Sequence, residues 1–154
     1  MGTRSRTEIF SGDVCIASIY RQFDGYPSGQ GADIAKIASK RLVNGISGDP
    51  ALVVNGMGCF AAQLIVVMKE GKAEAGGIYL QEPMKEDGEM GEDYVYRIYG
   101  DRMKPEAGVR IEVTGGNVTA FGNPNDPASF KGLFRGTAAE FAAWIAKADD
   151  DSEG

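Results

Sequence analysis

Residues 20–31, YRQFDGYPSGQG, gather the most versatile side chains of the chain into one short stretch. If the strand ahead of them ends at Phe23, Tyr20 and Gln22 point to one face, and Arg21 and Phe23 to the other. Tyr26 is held extended by the proline that follows it. Ser28, Gly29 and Gly31 then bring a small-residue backbone to a helix N-terminus, whose free N–H groups and partial positive charge suit a phosphate or carboxylate. Arg21 offers a forked partner for the same anion. Tyr20 or Tyr26 could stack on a planar base, while Gln22, Asp24 and Ser28 read its polar edges. Arg4 joins the set if the first strand pairs with the second, and Arg6 lies two residues beyond it. A plainer reading stands beside this one. Arg21 and Asp24 pair with each other, the glycines only permit the turn, and Asp33 competes with an incoming anion. Arg4 and Arg6 are then charges on a solvated edge strand.

The composition narrows the chemistry. The chain has 154 residues, no histidine and a net charge of −6. Lack of histidine excludes Ser-His and Cys-His catalysis, histidine metal sites and a histidine pH switch. The acidic balance argues against nonspecific nucleic-acid binding, which draws on Lys and Arg. Cys15 and Cys59 lack metal-ligand spacing and read as free thiols in apolar runs. No GxxxxGK[ST] occurs. Gly29-Gln30-Gly31 is a weak dinucleotide fingerprint, because Ile34 stands where its third glycine belongs. Gly56-Met57-Gly58 reads as a helix start. The acidic run 83–93 does not match a calcium loop and reads as a solvated hairpin tip. The apolar run 64–68 is too short to span a bilayer, no signal peptide is evident, and Arg6 spoils a myristoylation pattern. The expectation is a cytoplasmic protein with no cofactor, no metal and no membrane partner.

The elements that must position these residues follow from periodicity. Strands are expected at 3–10 and 14–23 as a hairpin, then at 77–82, 94–99, 109–114 and 118–121. In the strand at 109–114, Val109, Ile111 and Val113 point inward, and Arg110 and Glu112 outward. A helix is expected at roughly 32–42 with Ile34, Ile37, Ala38 and Leu42 on one face. A second, at 58–70, is apolar nearly all round and reads as buried on every side. Residues 51–54 are a short strand or loop. Tyr94, Tyr96 and Tyr99 serve sheet packing or, on a sharper reading, base stacking. Phe134 and Arg135 read as surface loop. Thr137 and Glu140 form a capping box for a third helix carrying Phe141, Trp144, Ile145 and Ala148. The fold class is α+β, with a five- or six-stranded antiparallel or mixed sheet and three helices. It forms one domain over 1–148, with an acidic disordered tail at 149–154.

Thr3-Arg4-Ser5 followed by Ile19 to Gly29 and Gly31 resembles a pattern in a family of small, uncharacterised bacteriophage and prophage proteins. The resemblance covers about the first quarter of the chain. It implies a phage origin, hence the host cytoplasm, and carries no established activity. By context, small phage proteins often counter host defence, some as oligomeric sponges for nucleotide messengers. The first functional expectation is therefore a non-catalytic, homo-oligomeric binder that sequesters an anionic nucleotide-like signal, of the cyclic oligonucleotide or cyclic ADP-ribose type. Its expected ligand-binding residues are Arg4, Tyr20, Arg21, Gln22, Asp24, Tyr26, Ser28, Gly29 and Gly31. The alternatives are a protein-binding inhibitor of a host defence enzyme, and a metal-independent phosphoester-processing enzyme with Asp24 as base and Arg21 as electrophile.

Overall fold

The computed structural model describes residues 2–45, 48–84 and 91–153. The architecture is α+β: a six-stranded mixed sheet, a separate two-stranded sheet and three helices. Strands β1 (Ser5–Ser11) and β2 (Val14–Arg21) form the expected antiparallel hairpin, turned at Gly12 with a φ of 60°. β2 then pairs antiparallel with β5 (Ile78–Gln81), and β1 pairs parallel with β6 (Tyr94–Gly100). β7 (Arg110–Thr114) and β8 (Phe134–Thr137) continue antiparallel, giving the order β5-β2-β1-β6-β7-β8. β1 is thus central, not an edge. The run 83–93 is no hairpin tip either, because β1 and β2 lie between the strands it connects.

One sheet face carries the main core. Ile9, Ile19, Tyr96, Ile98, Ile111 and Val113 pack there against Ile34 and Ile37 of α1 (Ala32–Ala38). Phe60 and Leu64 of α2 (Gly56–Met68) and Phe141 and Ile145 of α3 (Ala138–Glu153) complete it. The opposite face is also covered. Met84, Val95, Val118, Phe121 and Phe130 make a second cluster there. Beside it runs a row of charges: Arg97 Nε to Glu8 Oε1 at 3.3 Å and Arg135 Nε to Glu112 Oε2 at 2.5 Å. Arg97 also lies 4.1 Å over the Phe121 ring. Glu112 points away from the main core as its alternation requires, yet it is buried by this second layer.

Several local expectations are corrected. Residues 118–121 form a 3-10 turn, because the Asn117 side chain accepts from Thr119 N at 2.9 Å and starts a helical turn. The helix expected over 32–42 is α1 alone, preceded by a π-helical turn at Pro27–Gly31. The Ser39 hydroxyl bonds back to Lys36 O at 2.8 Å, and Leu42 then lies in β3 (Arg41–Val43), parallel to β4 (Val53–Asn55). α2 is buried on one face only, and Val66 is exposed. The Phe134–Arg135 loop is instead the strand β8. The capping box forms as expected: Glu140 N donates to Thr137 Oγ1, and Thr137 N to Glu140 Oε1 at 3.0 Å. α3 carries helical backbone into the acidic residues 149–153. Among the described residues, no helix is long and apolar enough to cross a membrane.

Candidate functional site

The stretch 20–31 leaves β2 and folds back over the end of β1. Gly25 N donates to Thr3 O at 2.9 Å, and the buried Tyr96 hydroxyl donates to Gly25 O at 2.8 Å. Gln30 N reaches back to Asp24 O at 2.8 Å, and Gly29 N to Tyr26 O at 2.9 Å. These bonds occupy N–H groups that the sequence reading offered to an anion. Two of the glycines are closely packed, Gly29 against backbone and Gly31 against the tip of a side chain. A Cβ on Gly29 would lie 2.3 Å from Asp24 O, and one on Gly31 would lie 2.3 Å from Ile145 Cδ1 of α3.

Gln30 is the central support. It is fully buried, donates from Nε2 to Thr7 Oγ1 at 2.8 Å, and accepts from Arg21 Nη1 at 2.7 Å. The same Arg21 nitrogen pairs with Asp33 Oδ2 at 2.6 Å, and Arg21 Nε donates to Phe23 O at 2.7 Å. Arg21 therefore pairs with Asp33 rather than Asp24. Both partners keep some exposure, 13% and 17% of their side chains. Asp24 is exposed and accepts from the Tyr26 hydroxyl at 3.1 Å. That bond, and the Asp24 charge behind it, push the Tyr26 phenol up from its ordinary value.

Two clefts open on this turn. One, about 370 Å³, is lined by Tyr26, Ser28, Gly29, Asp33 and Lys36. The other, about 270 Å³, is lined by Phe23, Lys69, Lys72, Glu74 and the backbone of Gly76–Gly77. Arg21, Asp24, Met68 and Glu70 line both, so the clefts are two lobes meeting at a shared wall. Four cationic side chains (Arg21, Lys36, Lys69, Lys72) and four carboxylates (Asp24, Asp33, Glu70, Glu74) line the pair, interleaved on the same segments. Asp24 and Glu70 share a further property. Both take left-handed backbone, with φ of 60° and 53°, although neither is glycine. At Glu70 this ends α2: Glu70 N bonds to Val67 O at 3.1 Å and Gly71 N to Val66 O at 2.9 Å.

The expected ligand-binding residues divide. Arg21, Asp24, Tyr26, Ser28 and Gly29 line the clefts. Tyr20 and Gln22 do not: the Tyr20 hydroxyl donates to Gln22 Oε1, and the Tyr20 ring packs by Tyr79 of β5. Gly31 is buried against α3. Arg4 precedes β1, donates its backbone N–H to Asp93 Oδ2 at 2.9 Å, and extends its guanidinium toward Gly91. It does not converge with Arg21. Arg6 is buried in an ion pair with Glu92 at 3.1 Å and bonds to Gln81 and Ser18. Of the acidic run, Glu92 and Asp93 are thus structural partners of β1, while Glu86, Asp87 and Glu89 lie outside the described residues.

Sequence reasoning missed the opposite wall, formed by the end of α2 and the segment 69–77. The available signal was a buried helix followed at once by KEGKAEAGG, a charged, glycine-rich loop. It also missed Gln30, and it read Tyr96 as sheet packing, which its burial in the core bears out, without the hydroxyl bond to Gly25. Among the described residues, no group of three or more His, Cys, Asp or Glu side chains could hold a metal ion. No family model, curated protein or solved structure matches the chain.

Proposed function

We propose that the protein is a non-catalytic binder of a small nucleotide-like molecule, and that holding this ligand is its function. The observation that carries the reading is the two-lobed cleft, with cations and carboxylates in equal number and an exposed aromatic in each lobe. A nucleotide has this mixed polarity. Its phosphate seeks Lys or Arg, its sugar and base edges seek acceptors, and its base seeks an aromatic face. Catalysis has less support. Asp24 accepts from Tyr26 in an exposed position, and Arg21 is already paired with Asp33. If the chain acts in a phage-infected cell, tight binding without turnover would withdraw a nucleotide signal of host defence. A second copy would add to the site through β5, an edge strand with Tyr79 and Leu80 50% and 69% exposed, which begins at the cleft wall at Ile78.

The test is thermal unfolding against nucleoside monophosphates, cyclic di- and trinucleotides and ADP-ribose derivatives, with the ligand recovered afterwards. A ligand at a hundred times its Kd adds roughly 2.7 kcal/mol, a rise of several degrees. The expected result is such a rise, recovery of intact ligand, and loss of the rise when Lys69 and Lys72 are both changed to Glu. No rise with any member overturns the binding reading, and recovery of altered ligand overturns the non-catalytic part.

A further inference from the structure

The distribution of charge between the lobes narrows the ligand class, on the basis of the binding reading above. The shared wall carries the Asp24 and Glu70 carboxylates, and its one cation, Arg21, already has a carboxylate partner in Asp33. An anion placed at this wall would meet two carboxylates. A group rich in hydrogen-bond donors would meet two acceptors. The remaining cations lie away from the wall, with Lys69 and Lys72 in the smaller lobe, beside Glu74, and Lys36 in the larger; Lys69 Nζ donates to Glu74 O at 2.7 Å, and Lys72 makes no ion pair among the described residues. The smaller lobe adds the backbone of Gly76 and Gly77. The larger has the exposed Tyr26 ring and the Ser28 hydroxyl.

From this partition we infer that the site takes a ribonucleotide lying across both lobes, with its ribose hydroxyls on Asp24 and Glu70. Adjacent hydroxyls are paired donors, and a carboxylate accepts from them strongly because the acceptor is charged. The phosphate lies by Lys69 and Lys72, and the base lies by Tyr26. The reverse orientation would bring the phosphate to Lys36 alone, with Asp33 already 3.8 Å from the lysine Nζ, whereas the smaller lobe has two lysines and Lys72 makes no ion pair among the described residues. Sugar identity is therefore read at the junction of the lobes, and Glu70 is a specificity-determining residue. Its side chain is exposed and makes no ion pair among the described residues, so its carboxylate is available to a ligand.

The experiment titrates the full chain with the four ribonucleoside 5′-monophosphates and with their 2′,3′-dideoxy counterparts, by calorimetry. At least one ribonucleotide should bind about tenfold or more tightly than its dideoxy form, the loss expected when charged acceptors go unpaired. Glu70→Gln should narrow that gap, with ribonucleotide affinity falling relative to that of the dideoxy form, a split that a merely structural role would not produce. Asp24→Asn, which tolerates the same left-handed backbone, should act in the same direction. Equal binding of ribo and dideoxy forms, or a gap untouched by both variants, overturns the ribose assignment and leaves the nucleotide site standing. Failure of every monophosphate to bind, together with a flat response across the wider unfolding panel, overturns both.

Discussion

Asp24 and Glu70 hold backbone conformations that glycine would hold at lower cost. Left-handed backbone costs an ordinary residue about 1–2 kcal/mol, and glycine returns roughly half of that gain through its freer unfolded chain. Glu70→Gly should therefore raise stability by about 0.5–1 kcal/mol in chemical denaturation and, on the proposed binding reading, weaken nucleotide binding at the same time. Such a trade of stability for function marks a residue kept for its side chain. Gly29 behaves in the opposite way. With Asp24 O where its Cβ would stand, Gly29→Ala should cost roughly 2–3 kcal/mol, read as a lower denaturation midpoint. The sequence displayed the glycines of this turn clearly. It could not display what each meets, because the atom nearest a Cβ is the turn's own carbonyl at Gly29 and a side-chain tip of α3 at Gly31.

Elements with local causes were the most legible. The Thr137–Glu140 box lies within four residues, and it caps α3 as its spacing implies. Thr137→Ala should lower stability by about 1 kcal/mol, as loss of an N-cap hydroxyl does elsewhere. β1 and β2 form their hairpin because the turn and both strands are contiguous. By contrast, the parallel pairing of β1 with β6 joins residues about ninety positions apart and leaves no periodic trace. That pairing turns β1 into a central strand and buries Arg6 with Glu92. Breaking such a buried pair leaves a charge without its counterpart, so Glu92→Ala should cost about 3 kcal/mol, measured by denaturant unfolding. The end of α1 was illegible for a related reason. Leu42 fits a helical face, but its apolar side chain is equally satisfied in β3 beside β4.

At the scale of the whole molecule, titration behaviour follows from composition and burial together. With no histidine, nothing of that residue type titrates between pH 6 and 8, and stability should be nearly flat there. At alkaline pH the signs are set by Cys15, Tyr96 and Tyr99. Burial, with the Glu8 charge adding to it, pushes the Cys15 thiol up to about 11; burial raises Tyr99 to about 12 and Tyr96 well above its ordinary value. Each is held protonated in the folded state after its unfolded counterpart has ionised. Stability is therefore whole below the unfolded values, near 9 for the thiol and 10 for the phenols, and falls as pH rises past them. Thermal midpoints should hold from pH 6 to 8 and decline above about 9. The proposed assembly through β5 belongs to the same scale. Sedimentation should show more than one copy per particle, and Leu80→Lys on the exposed edge should shift it toward the monomer.

What the sequence determined by itself was whatever depends on neighbours along the chain. That includes the α+β class, the first hairpin, the capped last helix, and a turn after β2 with more polar chemistry than a turn requires. The tertiary structure alone decided which of that chemistry is available. It assigned Arg21 to Asp33 and Gln30, drew Tyr20 and Gln22 into contact with each other, and separated Arg4 from Arg21. It also supplied the far wall of the cleft from the end of α2. Alternation and helical spacing say which side of its own element a residue occupies. What stands opposite that side is decided by packing between segments distant in sequence, and a binding site is made of what stands opposite.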